Sequence, residues 1–276
     1  MLLKAIDLEN KINEENLEIL QELKEKNIKV KLLSIRVGDD YGSILYEKSL
    51  EKTINSYGGE HIKLIFNEDD NENEIIDQVK KYLDDDSIGG ILLLKPFKNK
   101  ELESKLDDII DYKRDLDAVN FRSKAKIYDL DFSGHVPITA LASLELLKFY
   151  GYDLNGENCL VINRSQVVGI PLSLMLLKEN ATVTIAHSKS KDLKSLIKNN
   201  KYIFTAIGKA DFFDSSYFNS QNIVVDISTN YKSGKVTGDV LFDDVVEKVA
   251  AISPVPGGVG RITKSLLIKE ILSYYL

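Results

Sequence analysis

The sequence predicts an α/β protein of two domains, the second built on a parallel sheet. Three observations lead there. Apolar runs of strand length alternate with helical stretches along most of the chain, the pattern of βαβ units. Several runs are continuous rather than alternating, as in strands covered on both faces. A polar, irregular stretch over residues 113–135 divides the series, and a length of 276 residues suits one large domain or two medium ones.

In the first half, Val30, Leu32, Leu33, Ile35 and Val37 mark a buried strand that ends at Gly38. A helix over 43–56 and a strand over 61–66 follow. The acid-rich residues 67–73 read as a solvated helix entry. Ile75, Ile76, Val79 and Leu83 then share one face of a helix over 71–83. The run 91–94 has the character of a fully covered strand, and 101–110 returns to helix. Past the boundary, 141–150 reads as a linking helix. After the Asn155-Gly156 turn come a strand at 160–162, a helix at 171–178, a strand at 182–186, a helix at 193–197 and strands at 202–206 and 223–227. Leu267, Ile271 and Tyr274 fall on one face of a last helix.

Composition narrows the class. The chain is 43% hydrophobic and 29% charged, the balance of a soluble globular protein. No apolar stretch reaches the roughly 18 residues of a membrane span, and the N-terminus turns charged at Lys4 and Asp7, unlike a secretory signal. The single Cys159 excludes an intrachain disulfide and lies in an apolar run, as an inert core thiol does. A cytoplasmic protein is expected. Net charge of −7 argues against nucleic acid as a partner. None of the three histidines has a ligand partner at helical spacing, so no metal site is expected.

The most informative stretch is Ser253-Pro254-Val255-Pro256-Gly257-Gly258-Val259-Gly260. Such a run of prolines and glycines forms neither helix nor central strand. It makes a fixed loop, either a rigid connector or a wall that comes close to a ligand. Upstream stand Val37-Gly38-Asp39-Asp40 with Ser43 and Tyr46, Gly90-Ile91-Leu92, Asp115-Leu116-Asp117, Arg164-Ser165-Gln166-Val167-Val168-Gly169, His187-Ser188-Lys189-Ser190 and Gly238-Asp239-Val240. This ordered set, covering nearly the whole chain, resembles the methylenetetrahydrofolate dehydrogenase/cyclohydrolase family. The resemblance implies an N-terminal α/β folate-binding catalytic domain (1–136 plus 261–276), a Rossmann-like NADP domain (137–260), a cleft between them, and a homodimer.

The turn after the strand at 160–162 is where an open parallel sheet receives a dinucleotide. It reads Asn163-Arg164-Ser165-Gln166-Val167-Val168-Gly169-Ile170-Pro171 in place of GxGxxG, and an ordinary βα loop is the alternative reading. Pro171 suits a first helical turn, whose free amides suit phosphate. The resemblance implies that Arg164 and Ser188 hold the ribose 2′-phosphate, which selects NADP; it places Thr139, Asn163, Ser165, Val168, Gly169, Pro171, His187, Ala206, Gly208, Ser228 and Thr229 around the cofactor. Asn163 stands where the family has glycine, and Ser228-Thr229 where it has Gly-Ile. A side chain at either place is expected to crowd the cofactor.

For the folate site the resemblance implies Tyr46 stacking on the ring system, Asp117 binding the pterin, and Pro256 and Gly257 forming a wall. Two departures fall at the chemistry. Leu50 replaces the lysine one turn after Tyr46, and Leu94 replaces the glutamine that bonds it. Lys48 and Lys52 are rotated about 160–200° away from Leu50 on a helix. Lys95 neighbours Leu94, and strand neighbours point to opposite faces. Arg261 stands where the family has proline, and Ala140 and Ala142 replace proline and glycine. The expected activity is NADP-dependent oxidation of 5,10-methylenetetrahydrofolate with cyclohydrolase absent or very low. The alternatives are a full bifunctional enzyme, with water activated by Asp117, Lys95 or another group, and a binding relative without turnover.

Overall fold

A computed structural model describes residues 1–276. The chain divides into two compact units, Ile12–Val136 with Lys264–Leu276, and Met1–Lys11 with Pro137–Thr263.

The first unit opens within helix α1 (Ile6–Glu25). Its buried stripe includes Ile12, Asn16 and Leu23. Asn16 stands where an apolar residue would signal the stripe, and its amide donates to the Ser265 carbonyl at 2.9 Å. Then come β1 (Lys31–Val37), α2 (Tyr41–Ser56), β2 (Glu60–Phe66), α3 (Glu72–Leu83), β3 (Gly90–Leu93) and α4 (Lys100–Ile109). The strands form a parallel sheet in the order β2-β1-β3. Leu33, Ile35 and Val37 of β1 and Ile91 and Leu93 of β3 pack with α3 and α4 in one apolar cluster. By strand alternation Ser34, Arg36 and Leu92 point to the other face. Asp40, Asn71 and Asn99 cap α2, α3 and α4 through their side chains, satisfying amides that a helix start leaves open. The polar stretch 113–135, read from sequence as irregular, contains a further helix, α5 (Phe121–Tyr128), capped by Asn120. Its short length and the exposed Phe121 and Tyr128 hide the helical period.

On the α2 face of β1 lies a buried charged pair. Arg36 Nε is 3.4 Å from Glu47, and both side chains are under one-tenth exposed. Ser34 Oγ donates to Glu47 at 3.1 Å, and His61 Nε2 lies 2.8 Å from Ser34 Oγ. Arg36 also donates to the Gly38 carbonyl. Breaking such a pair from one side leaves a buried charge uncompensated. Arg36→Leu is expected to cost about 3–5 kcal/mol in urea unfolding, and Arg36→Leu with Glu47→Leu to recover most of it.

The second unit runs through α6 (Ile138–Phe149), β4 (Asn158–Ile162), α7 (Gly169–Lys178), β5 (Thr182–Ala186), α8 (Leu193–Lys198), β6 (Tyr202–Thr205), β7 (Ile223–Asp226), the hairpin β8 (Asn230–Lys232) and β9 (Lys235–Thr237), α9 (Phe242–Val245), β10 (Ala251–Ile252) and the start of α10 (Val259–Ser273). Five strands form a parallel sheet in the order β10-β7-β6-β4-β5. Its core includes Leu160, Ile203, Phe213, Phe218 and Val224.

By their contacts, residues 1–11 go with this second unit. Leu3 and Ala5 are wholly buried. Leu3 N donates to Ile252 O and Ala5 N to Gly257 O, each at 2.9 Å. The segment thus pairs in parallel with the β10 edge through Leu2 and Ile252 and ties down the Pro-Gly loop. Arg261 through Thr263 also stay with this unit.

Candidate active site

In the first unit, α2 presents Tyr46 and buries Leu50. Tyr46 is 44% exposed and Leu50 0%, so the ring stands at the rim of the face that Leu50 occupies from below. Lys48 and Lys52 are exposed on the far side of the helix. Leu94, 4% exposed, continues β3 through a 2.9 Å bond from its N–H to the Ile35 carbonyl. Lys95 points the other way, toward α4, where Asp107 holds its ammonium at 2.8 Å and Glu103 lies 3.6 Å from it.

Two aspartates two residues apart have different fates. The Asp115 carboxylate accepts the Val119 and Asn120 amides at 3.0 and 2.7 Å and the Ser123 hydroxyl at 2.6 Å. It is a structural clamp for the start of α5. Asp117 accepts nothing from the chain; burial, and then the Asp115 charge, push its pKa up to about 6, against a smaller opposing pull from Lys95. Ala118, which follows it, has φ +52°, a conformation that sets the turn after the carboxylate. Tyr46, though 44% exposed, responds to this site: desolvation, and then the Asp117 charge, raise its phenol above the ordinary range. A carboxylate with open lone pairs beside an exposed ring suits a flat ligand that carries N–H donors on one edge.

A separate cavity of about 700 Å³ lies at the carboxyl ends of β1, β2 and β3, lined by Gly38, Asp40, Glu68, Phe97 and Lys98 among others. Within the chain Lys98 pairs with Glu68, and Asp40 accepts the Ser43 amide and hydroxyl.

In the second unit, the loop from β4 to α7 corrects the expectation of free helix amides. Val168 N donates to Ser165 Oγ at 3.1 Å, Gly169 N to Asn163 Oδ1 at 3.1 Å, Ile170 N to Ser165 O at 3.0 Å and Leu172 N to Val168 O at 3.0 Å; Pro171 has no N–H. Asn163 is the organiser. Its Oδ1 also takes Ser165 N at 2.7 Å, and its amide donates to Ala206 O at 2.5 Å. The side chain is drawn into the loop. Gly169 is required here, because a Cβ would meet the Asn163 carbonyl oxygen at 2.2 Å.

Arg164 and Ser188 are both exposed and make no hydrogen bond or ion pair within the chain. The register pairs Ile162 with Ala186, so each residue lies two positions beyond a paired strand end. Two uncommitted donors at equal height on neighbouring strands fit a phosphate. His187 is half-buried, and its Nδ1 accepts Lys189 N at 3.1 Å within the same turn. Thr139, half-buried at the start of α6, accepts Ser143 Oγ on its carbonyl at 2.8 Å.

A cavity of about 290 Å³ is lined by Thr229, Val236, Pro254, Pro256, Gly257 and Arg261. Ser228 is not directed at it: its Oγ donates to Asp239 at 2.7 Å and accepts Gly208 N at 3.1 Å. Asp239 is wholly buried, and Gly238 lets the chain pass Asp226, where a Cβ would sit 1.9 Å from a carboxylate oxygen. Burial pushes Asp226 up to about 7, against the pull of the Val240 and Asp239 amides that it accepts.

The sequence model of the tetrahydrofolate dehydrogenase/cyclohydrolase catalytic domain matches residues 3–117, and that of the NAD(P)-binding domain of the same family matches residues 137–276. The chain belongs to this family. Among curated relatives, the bifunctional protein FolD of Clostridium beijerinckii is 42% identical over 261 residues, 94% of this chain and 92% of that one. Among solved structures, the bifunctional FolD enzyme of Campylobacter jejuni superposes with a TM-score of 0.94 at 34% identity, covering 99% of this chain and 98% of that one. The bifunctional 5,10-methylenetetrahydrofolate dehydrogenase/cyclohydrolase of Thermoplasma acidophilum gives 0.89 at 28%, covering 99% and 97%. Most of the second unit thus falls within the match to the NAD(P)-binding domain, and most of the first within the match to the catalytic domain.

Proposed function

We propose that the protein is an NADP-dependent 5,10-methylenetetrahydrofolate dehydrogenase with little or no cyclohydrolase activity. One observation carries the second half of this reading: Leu50 and Leu94, at 0% and 4% exposure, place apolar side chains where the resemblance assigns a lysine and its glutamine partner. Tyr46 supplies the stacking surface and Asp117 accepts the amino-pyrimidine edge of the pterin. Arg164 and Ser188 hold the ribose 2′-phosphate. NADP, when bound, accepts the hydride. Hydride transfer needs donor and acceptor carbons held face to face, and these residues do the holding. Hydrolysis of the methenyl product needs a group that moves a proton to and from water, and neither leucine does so.

The names of the bifunctional relatives favour a second reading, in which both activities persist. It requires Lys95 to leave Asp107, or Asp117 to activate water itself. Purified protein supplied with methylenetetrahydrofolate and NADP, and separately with methenyltetrahydrofolate, decides between them. Cofactor reduction is expected to outrun hydrolysis by at least about 100-fold, the lower reach of general acid–base catalysis. Comparable rates would establish the second reading.

A further inference from the structure

We infer that Asp239 is the positioning residue of the dinucleotide site, the group through which two cofactor loops are held in one geometry. Its carboxylate takes five donors. Oδ2 accepts Thr205 Oγ1 at 3.0 Å, Ile207 N at 2.6 Å and Ser228 Oγ at 2.7 Å; Oδ1 accepts Lys209 N at 2.8 Å and Asn230 Nδ2 at 3.2 Å. Thr205, Ile207 and Lys209 belong to the end of β6 and the loop beyond it, which carries Ala206 and Gly208. Ser228 and Asn230 come from the segment after β7, which carries Thr229. These are the carboxyl ends of adjacent parallel strands, where an open α/β sheet takes its ligand. A carboxylate is acceptor-only and offers about four lone-pair sites, so this one is fully used in joining the two loops and none of it is left for a ligand.

The anchor is itself anchored. Asp239 N donates to Asp226 at 3.1 Å, and Asp226 N donates to Ser253 Oγ at 2.8 Å. Ser253 begins the Pro-Gly loop. One hydrogen-bonded chain therefore runs from that loop through Asp226 and Asp239 to both cofactor loops. Asp239 acts on the cofactor through Ser228, Gly208 and Ala206 and not by contact.

This inference rests on the reading of these loops as the cofactor site, so the test measures binding directly, without folate and without turnover. The full-length protein is titrated calorimetrically with NADPH and with NADH. Asp239→Asn turns one acceptor edge into a donor facing two or three donors. It is expected to weaken both cofactors by about 10- to 100-fold, and by the same factor for each, because the residue is remote from the 2′-phosphate grip of Arg164 and Ser188. Ser228→Ala and Asn230→Ala each remove one donor at a partly exposed position and keep the test open should Asp239→Asn fail to fold. Each is expected to cost about threefold or more. Ser228→Ala added to Asp239→Asn should cost less than its separate effect, since residues acting through one network are not additive. Folded variants that bind both nucleotides as tightly as the wild type, with only a lowered urea midpoint, overturn the inference and make Asp239 a stability residue. Failure of the wild type to bind either nucleotide overturns the cofactor reading and this inference with it. Binding without turnover overturns only the dehydrogenase reading.

Discussion

Leu50→Lys combined with Leu94→Gln is expected to raise methenyltetrahydrofolate hydrolysis by about 10²- to 10³-fold, within the usual range for a positioned general acid–base. The pair must be changed together. Leu50 is wholly buried beneath Tyr46 on α2, and an ammonium placed there alone is desolvated with no acceptor, so it loses its proton or destabilises the fold. Glutamine at 94, on the same sheet face, supplies the carbonyl acceptor. Leu50→Lys alone is therefore expected to lower the melting temperature and add little hydrolysis, and Leu94→Gln alone to add none. The wild-type lysine nearest in sequence, Lys95, is no substitute while Asp107 holds it at 2.8 Å on the opposite face. Paired assays of cofactor reduction and methenyl decay on all four proteins measure the effect. A folded double variant that hydrolyses no faster than the wild type would show that these two positions do not control the proton chemistry.

The parts that sequence made legible share a physical basis. Continuous apolar runs report strands buried on both faces, and the run 91–94 became β3 (Gly90–Leu93) beside β1. Leu94 and Lys95 lie just past the end of β3, where Lys95 N already turns back to Leu93 O at 3.0 Å, so strand alternation alone does not decide where they point. What stayed hidden depended on side chains turning inward. Asn163 and Ser228 replace small or apolar family residues and invited the expectation of a crowded cofactor. In the fold their polar atoms are spent on the Gly169 and Ser165 amides, the Ala206 carbonyl and the Asp239 carboxylate. No local pattern announces that direction, because the partners lie up to 43 residues away. Helix α1 was missed for a similar reason. Its buried stripe includes Asn16, whose partner carbonyl is 249 residues distant. The role of Asp239 was equally invisible: a lone Gly-Asp-Val reads as a turn until β6 and β7 bring their loop donors around it.

Asp117→Asn is expected to abolish most folate turnover and at the same time to stabilise the protein at neutral pH. The carboxylate has no partner in the chain, and its surroundings raise its pKa from 3.8 to about 6. The sign follows from linkage. Below about pH 4 the folded and unfolded states both carry the proton, and the site costs nothing. Between about 4 and 6 the unfolded state has released its proton while the folded state still holds it, so stability falls as pH rises; above about 6 the loss is complete. Asparagine does not titrate, so the melting temperature of the variant should meet that of the wild type near pH 4 and exceed it increasingly up to about pH 6.5, then run parallel. Turnover moves the other way. The ionised carboxylate accepts two N–H bonds of the pterin edge, and replacing one oxygen by NH2 loses one of them and sets two donors against each other in its place. With bonds to charged groups worth about 1.5–3 kcal/mol each, kcat/KM for methylenetetrahydrofolate should fall by about 10²- to 10³-fold, mostly through KM. The same ionisation predicts that wild-type kcat/KM declines on the acid side of about pH 6, and that this limb vanishes in the variant. Melting curves and rate profiles across pH 4–8 on the two proteins test both halves. An unchanged pH–stability difference would mean that the Asp117 carboxylate is solvated like any surface aspartate, and an unchanged KM would place the pterin elsewhere.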